Sequence, residues 1–170
     1  MRHVEPRDDS PEGFIESLHD LANARFEQDF IENPMLNDFA NNTADIVVAG
    51  FLDSMNLDRD VIYADTDSGL SFAVKKLIFV FADPADYGTI PMLDFGVVLT
   101  SMYYGAEQNI DSLAAMINRY ANFCRAYIDQ AQEADPVSWQ LLNISQRFWY
   151  THGYVSGVLR QGDTNETVQI

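Results

Sequence analysis

The chain of 170 residues contains very little cysteine and no long apolar run. Its one cysteine, Cys124, cannot form an internal disulfide and is expected to be a small buried hydrophobic residue. The run from Leu77 to Ala82 is among the longest apolar segments, whereas a membrane-spanning helix needs roughly 20 residues. Residues 1–10 are charged and precede no apolar segment, so no secretory signal peptide is expected. These absences predict a cytoplasmic protein.

Positive charge is also scarce, because 10 Lys and Arg residues stand against 26 Asp and Glu, for a formal net charge of −16. A field of this sign repels nucleic acid and anionic membranes, so direct binding to either is not expected. The charge is unevenly distributed: residues 26–67 contain ten acidic side chains and one basic side chain, Arg59. Either the acidic residues serve solubility alone, or they form a face that complements a basic partner.

Hydrophobic residues make up 47% of the chain, which is enough to build the core of one domain. Helical spacing of apolar residues predicts one helix over 11–31 and a second from 34 to about 56, with a possible interruption at Asn41-Asn42. Four times a residue able to cap a helix precedes proline, which favours a helix start. These pairs are Ser10-Pro11, Asn33-Pro34, Asp83-Pro84 and Asp135-Pro136.

The segment 70–81 is apolar on nearly every side, which predicts a central buried helix and leaves a buried strand over 77–81 as the alternative. Pro91 predicts the next helix start, with Gly105 as a left-handed stop. Asp111 is predicted to cap the most clearly amphipathic helix of the chain.

The last helix is predicted to follow Asp135-Pro136 and to pair with its predecessor as an antiparallel hairpin. Gly153 and Gly157, four residues apart, suggest close helix approach. We therefore predict an all-α, single-domain bundle of about six helices over 11–160, with one short strand or extended segment near 61–64. Residues 1–10 are expected to be flexible, and the tail 161–170 disordered.

One segment has an enzyme-like pattern, because the apolar run at Val61 leads into Asp65-Thr66-Asp67. It resembles the first motif of haloacid-dehalogenase-type phosphatases, in which the first Asp attacks phosphorus and the second protonates the leaving group. The segment from Val97 to Thr100 is similar to the second motif. The resemblance implies a magnesium-dependent phosphatase, but that family needs a later Lys, and none follows Lys76. The other interpretation is a turn that caps a helix.

Further candidates for chemistry are isolated. Glu16 and His19 have the spacing of half a di-iron site, but no second Glu-x-x-His is present. His152 lies on the apolar stripe of the last helix, where it is either a functional group, as a general base or a proton switch, or a core histidine. Phosphate-loop and serine-elbow motifs are absent. We therefore predict no metal and no cofactor, and the sequence leans against enzymatic activity.

The run Phe148-Trp149-Tyr150 places rings on about three faces of one helix, so at least one ring is a candidate for an interface unless the helix is deeply buried. We predict a non-enzymatic interaction module that occupies a basic surface of a partner, such as a nucleic-acid-mimicking inhibitor or a viral accessory factor. A structural subunit that forms a homo-oligomer is the alternative. The predicted partner-binding residues are Glu27, Asp29, Glu32, Asp38, Asp53, Asp58, Asp60 and Trp149.

Overall fold

The computed structural model of the chain describes residues 11–59, 69–82, 90 and 92–162. These residues form seven α-helices and no strand, which confirms the all-α prediction. The segment 61–64, the pair Asp83-Pro84 and residues 1–10 and 163–170 lie outside the described residues. The helices are α1 (Pro11–Glu32), α2 (Pro34–Ser54), α3 (Leu70–Phe81), α4 (Met92–Gly105), α5 (Ile110–Ala134), α6 (Pro136–Leu141) and α7 (Ile144–Gly162).

Helix α3 lies at the centre of the bundle, where its most extensive contacts are with α5 and α2. A helix with apolar residues on every side can bury them all only between other helices, and the predicted buried helix is confirmed. The alternative of a strand over 77–81 is wrong. The buried apolar residues of α3 are Leu70, Ala73, Val74, Leu77, Ile78, Phe79 and Phe81.

Helices α1 and α2 meet at Asn33, and Pro34 opens α2 as predicted. Asn33 does not cap α2, because its Nδ2 donates backwards to the carbonyl oxygen of Asp29 at 3.0 Å. Asn41 and Asn42 are exposed within one continuous helix, so the possible interruption there is absent. The chain leaves α2 through Asn56, whose φ of 59° is left-handed.

The turn between α4 and α5 differs from the prediction at both ends. Helix α4 ends at Gly105, but the left-handed residues are Glu107 (φ 56°) and Gln108 (φ 57°), so Gly105 is not the left-handed stop. Asn109, rather than Asp111, caps α5, because its Oδ1 accepts the backbone N–H three residues later at 2.9 Å. Asp111 lies in the first turn of α5, where its negative charge interacts favourably with the positive end of the helix dipole.

The predicted last helix is divided into α6 and α7. The chain is extended at Leu142 (φ −81°, ψ 140°), and a reciprocal capping box opens α7. Asn143 Oδ1 accepts the N–H of Gln146, and Gln146 Oε1 accepts the N–H of Asn143, both at 2.8 Å. Arg147 caps the C-terminal end of α6, because its Nε–H donates to the carbonyl oxygen of Trp139 at 3.2 Å. The prediction of one continuous helix here was wrong.

Helix α7 returns along α5, and Asp135 caps α6 as predicted, with its Oδ1 accepting the N–H of Ser138 at 3.1 Å. The expected close approach at Gly153 and Gly157 is absent, because a Cβ atom on either residue would meet nothing within 4 Å. No helix in the described part of the chain combines the length and apolar character needed to cross a membrane.

Candidate partner-binding surface

The predicted acidic residues lie on α1, α2 and the segment after α2. Glu27 and Glu32 are exposed on α1, and Asp38 is exposed on α2. Glu32 accepts a hydrogen bond from the Gln28 amide at 2.7 Å, and this neutral donor leaves the charge of the carboxylate uncompensated. Asp60 lies outside the described residues.

Asp29 has a different environment from its neighbours, because it faces the interior of the bundle. Its side chain is 16% exposed and forms an ion pair with Arg125 of α5, which is 13% exposed. Arg125 Nε also lies 3.4 Å from Asp129, and Asp129 lies 3.4 Å from Arg25 of α1. This network joins α1 to α5, so the charge of Asp29 is compensated within the fold.

Asp53 is exposed, but its charge is also compensated. Arg59 donates Nε–H and an Nη2 hydrogen to the two carboxylate oxygens of Asp53, at 3.0 and 2.5 Å. The hydrogen bond from Arg59 lowers the pKa of Asp53, as does the charge of the guanidinium group. Asp58 is exposed in the same segment.

The structure adds Asp45, which sequence analysis did not select. Asp38 and Asp45 are seven residues apart on α2, so they lie on one face, about 10 Å apart along the axis. Both are exposed and have no ion-pair partner among the described residues. The seven-residue spacing between Asp38 and Asp45 was the feature of the sequence that could have identified Asp45. Glu27, Glu32, Asp38 and Asp45 are called the α1–α2 carboxylates below.

Few Lys and Arg side chains are exposed among those whose burial is described. Lys75 and Lys76 are buried, and Arg119, Arg125 and Arg147 are half-buried. Arg25 and Arg59 are the exposed ones among the cations whose burial is described, but each pairs with a carboxylate. The exposed carboxylates are those of Asp20, Glu27, Glu32, Asp38, Asp45, Asp53, Asp58, Glu107, Asp111, Glu133 and Asp135.

An apolar groove of about 810 Å³ lies between α2 and α4. Its lining includes Ile46 and Val97, which are 64% and 58% exposed, and the buried residues Val47 and Phe51. Phe51 is fixed by an edge-on contact with Tyr103, with 5.5 Å between the ring centroids. The described residues that line the groove carry no charge.

Lys76 is a buried cation that the sequence analysis did not select. Its position beside Lys75 within the apolar segment 70–81 was the feature of the sequence that could have identified it. Its side chain is 1% exposed, and Nζ donates to Oδ1 of Asn23 and Asn118 at 2.7 Å and of Asn122 at 3.2 Å. Burial lowers the pKa of Lys76 to about 8, against a smaller opposite effect of Glu27. Because the group is enclosed by α1, α3 and α5, it connects helices and is closed to ligands.

His152 also has a partner inside the fold. Its Nδ1 lies 2.9 Å from the hydroxyl of Tyr120, which is fully buried and adjoins the buried thiol of Cys124. The predicted burial of Cys124 is confirmed. Trp149 is 39% exposed and contacts the His152 ring edge-on at 5.2 Å, while Phe148 is buried. The run of three aromatic residues therefore divides, with Phe148 in the core and Trp149 and Tyr150 outside it.

The structure describes only one of the two segments that resemble a phosphatase. Asp65 and Asp67 lie outside the described residues. The segment from Val97 to Thr100 lies inside α4, where the resemblance requires a strand. Among the described side chains, no group of three or more His, Cys, Asp and Glu residues is arranged to hold a metal ion.

No family model matches the chain, and no curated protein or solved structure shows significant similarity to it. Two exposed features have a defined chemistry: the α1–α2 carboxylates and the groove between α2 and α4.

Proposed function

We propose that the protein is a non-enzymatic interaction module whose α1–α2 carboxylates bind a basic surface on another protein. The main support is the unequal exposure of charge. The cations whose burial is described are buried, half-buried or ion-paired, whereas most carboxylates whose burial is described are exposed to solvent. Opposite charges speed the encounter of two proteins and like charges suppress it, so this surface selects basic partners.

The narrower form of the proposal is an inhibitor or viral accessory factor that occupies the nucleic-acid site of its partner. Duplex DNA presents one charge per roughly 1.7 Å of its axis. Asp38 and Asp45 are about 10 Å apart along α2, so this pair alone is too sparse to imitate DNA. Mimicry therefore depends on the carboxylates of α1 and α2 acting together, and competition with DNA tests it.

The test compares two double variants with equal changes in net charge. Asp38→Lys/Asp45→Lys alters the proposed surface, and Glu107→Lys/Glu133→Lys is the control, since all four residues are exposed. Each protein is immobilised and incubated with an extract of its native cells at about 0.1 M salt, where exposed charges still interact over about 10 Å. The cellular proteins that each immobilised protein retains are then quantified.

We expect the wild type and the control to retain basic proteins. Asp38→Lys/Asp45→Lys should retain about tenfold less of these proteins. Adding duplex DNA should release these proteins if a nucleic-acid site is occupied. The same retained proteins with both variants would show that only net charge matters, and the proposal would then fail.

Assembly into a homo-oligomer is the second candidate, and the exposed apolar groove between α2 and α4 favours it. The net charge of −16 on every copy opposes self-association. Light scattering over a range of protein and salt concentrations separates the two functions. A monomer under all conditions would remove the assembly function, and a stable oligomer at low salt would favour it over the first proposal.

A further inference from the structure

We infer that a cleft between α1, α5 and α7 binds a small organic ammonium ion with an apolar body. The volume of the cleft is about 500 Å³, a size typical of pockets that bind small molecules. Its lining contains none of the α1–α2 carboxylates, so this site is additional to the proposed function. The class of ligand follows from the walls of the cleft and from the charge at one end.

Two tyrosines form an aromatic wall of the cleft. The ring centroids of Tyr127 on α5 and Tyr154 on α7 are 4.8 Å apart, and Tyr154 is 56% exposed. On the α1 side the lining includes Leu21, which is 66% exposed. Val155 and Val158 add aliphatic surface from α7. Such walls favour an apolar ligand body, and the face of an aromatic ring also attracts an ammonium ion.

The arginines of the cleft do not make it a site for anions, because each already has a carboxylate partner. Arg125 pairs with Asp29 and Asp129. Asp129 also pairs with Arg25. Two guanidinium groups are therefore balanced by two carboxylates within the fold. An anionic ligand would have to displace these carboxylates from the arginines.

Glu133 places a negative charge at one end of the cleft. Its carboxylate is exposed and has no ion-pair partner among the described residues. Glu133 follows Ala126 by seven residues, so both lie on the face of α5 that lines the cleft. The last turn of α5 contains Glu133 and no basic residue, so the negative end of the helix dipole adds to the charge of the carboxylate. This end of the cleft therefore favours a cationic head group.

The spacing of residues on α5 sets the length of the ligand. Tyr127 and Glu133 are six residues apart, about 9 Å along the helix axis. A phenyl ring joined to an ammonium group by a butyl chain spans this separation. Its ring lies against Tyr127 and Tyr154 when its head group is at Glu133.

The probes are three molecules with the same phenyl ring and butyl chain but different head groups. Phenylbutylammonium carries a cation, phenylpentanoate a carboxylate and phenylbutanol a neutral hydroxyl group. NMR titration of the protein's amide signals measures the Kd of each probe at about 0.1 M salt, where exposed charges are partly screened. The same spectra show whether each variant is folded.

Two pairs of variants separate the charge at the cleft from its aromatic wall. Glu133→Gln removes the charge, and Glu107→Gln is the control, since Glu107 is exposed outside the lining and the change in net charge is equal. Tyr154→Ala removes part of the wall, and Tyr150→Ala is the control, since Tyr150 is exposed on the same helix outside the lining. All four side chains are exposed, so none of these changes should unfold the protein.

We expect the wild type to bind phenylbutylammonium about threefold more tightly than phenylbutanol, and phenylpentanoate most weakly. Glu133→Gln should remove the preference for the cation, whereas Glu107→Gln should retain it. Tyr154→Ala should weaken the binding of phenylbutylammonium and phenylbutanol about fivefold, because apolar contact is lost. Tyr150→Ala should leave both affinities unchanged.

Three results would overturn the inference. Tighter binding of phenylpentanoate than of phenylbutylammonium would make the cleft an anion site. Equal effects of Glu133→Gln and Glu107→Gln would mean that net charge alone attracts the cation. No effect of Tyr154→Ala, or no shift of any amide signal, would mean that the cleft does not take this ligand. If the spectra show that Tyr154→Ala is unfolded, the two glutamate variants decide the test.

Discussion

Nζ of Lys76 on α3 lies 2.7 Å from Oδ1 of Asn118 on α5, inside the core of the bundle. Asn23 and Asn122 provide two further amide oxygens, so three neutral acceptors hold the ammonium group. Amide oxygens satisfy its hydrogen bonds but do not cancel its charge, and burial lowers the pKa to about 8. The stability of the fold should therefore depend on the protonation of this one buried group.

Replacing Lys76 by Met is expected to change how the free energy of unfolding depends on pH. The ordinary pKa of 10.5 applies to the unfolded chain, so between pH 8 and 10.5 the unfolded state binds more protons than the folded state. Rising pH in this window therefore stabilises the wild type relative to Lys76→Met, by about 2 kcal/mol between pH 7 and 10. Urea unfolding at both pH values measures this difference. Parallel pH profiles for the two proteins would contradict it.

Asp29→Asn is expected to lower the free energy of unfolding by about 2 kcal/mol, because half-buried Arg125 then loses its closer charged partner and keeps only Asp129. Asp38→Asn is the matched control, since Asp38 is exposed on α2. That change should alter stability by less than about 0.5 kcal/mol. Denaturant unfolding of both variants gives the comparison. Equally small effects of the two changes would show that the ion pair between Asp29 and Arg125 does not stabilise the fold.

Cys124→Ala is expected to reduce the loss of stability at alkaline pH. Burial raises the pKa of the Cys124 thiol far above its ordinary value of 9.0. Above pH 9 the unfolded chain loses this proton and the folded chain keeps it, so stability falls by up to about 1.4 kcal/mol per pH unit. Lys76 acts in the opposite direction over part of this range, so the effect is visible only when Cys124→Ala is compared with the wild type.

A thiol reagent gives an independent check on Cys124. The folded protein should react slowly at pH 8, because the thiol is buried, and the urea-unfolded protein should react rapidly. Rapid reaction of the folded protein would mean that the core opens readily around α5.

Asn143→Ala is expected to cost about 1 kcal/mol, because it removes the side-chain acceptor of the capping box at the start of α7. Asn42→Ala is the control, since Asn42 is exposed inside α2 and Ala has the higher helix propensity. It should leave stability unchanged or raise it slightly. Thermal melting of both variants tests the pair, and an unchanged melting temperature for Asn143→Ala would show that the box contributes nothing.

Helix starts were predictable where the signal was local. Pro34 and Asp135-Pro136 mark starts in the sequence, and the structure has a helix at each. The break between α6 and α7 was missed, although Asn143 and Gln146 form a recognisable capping box. Apolar periodicity continues across the break, and this longer pattern concealed the local signal.

The acidic residues were visible in the sequence, but their roles were not. Nothing near Asp29 distinguishes it from Asp38, because Arg125, which pairs with Asp29, belongs to a helix far along the chain. Asp45 was detectable through its seven-residue spacing from Asp38, and the groove was not, since it requires α4 to lie beside α2.

The sequence by itself determined an all-α fold with a central apolar helix and a surplus of negative charge. Helix formation depends on backbone preferences and periodicity over a few residues, and both are present in the linear chain. Tertiary structure alone decided which carboxylates remain uncompensated, that Lys76 is enclosed by three asparagines, and that a groove opens between α2 and α4. Charge compensation and burial depend on contacts between distant helices, because they arise only when those helices pack.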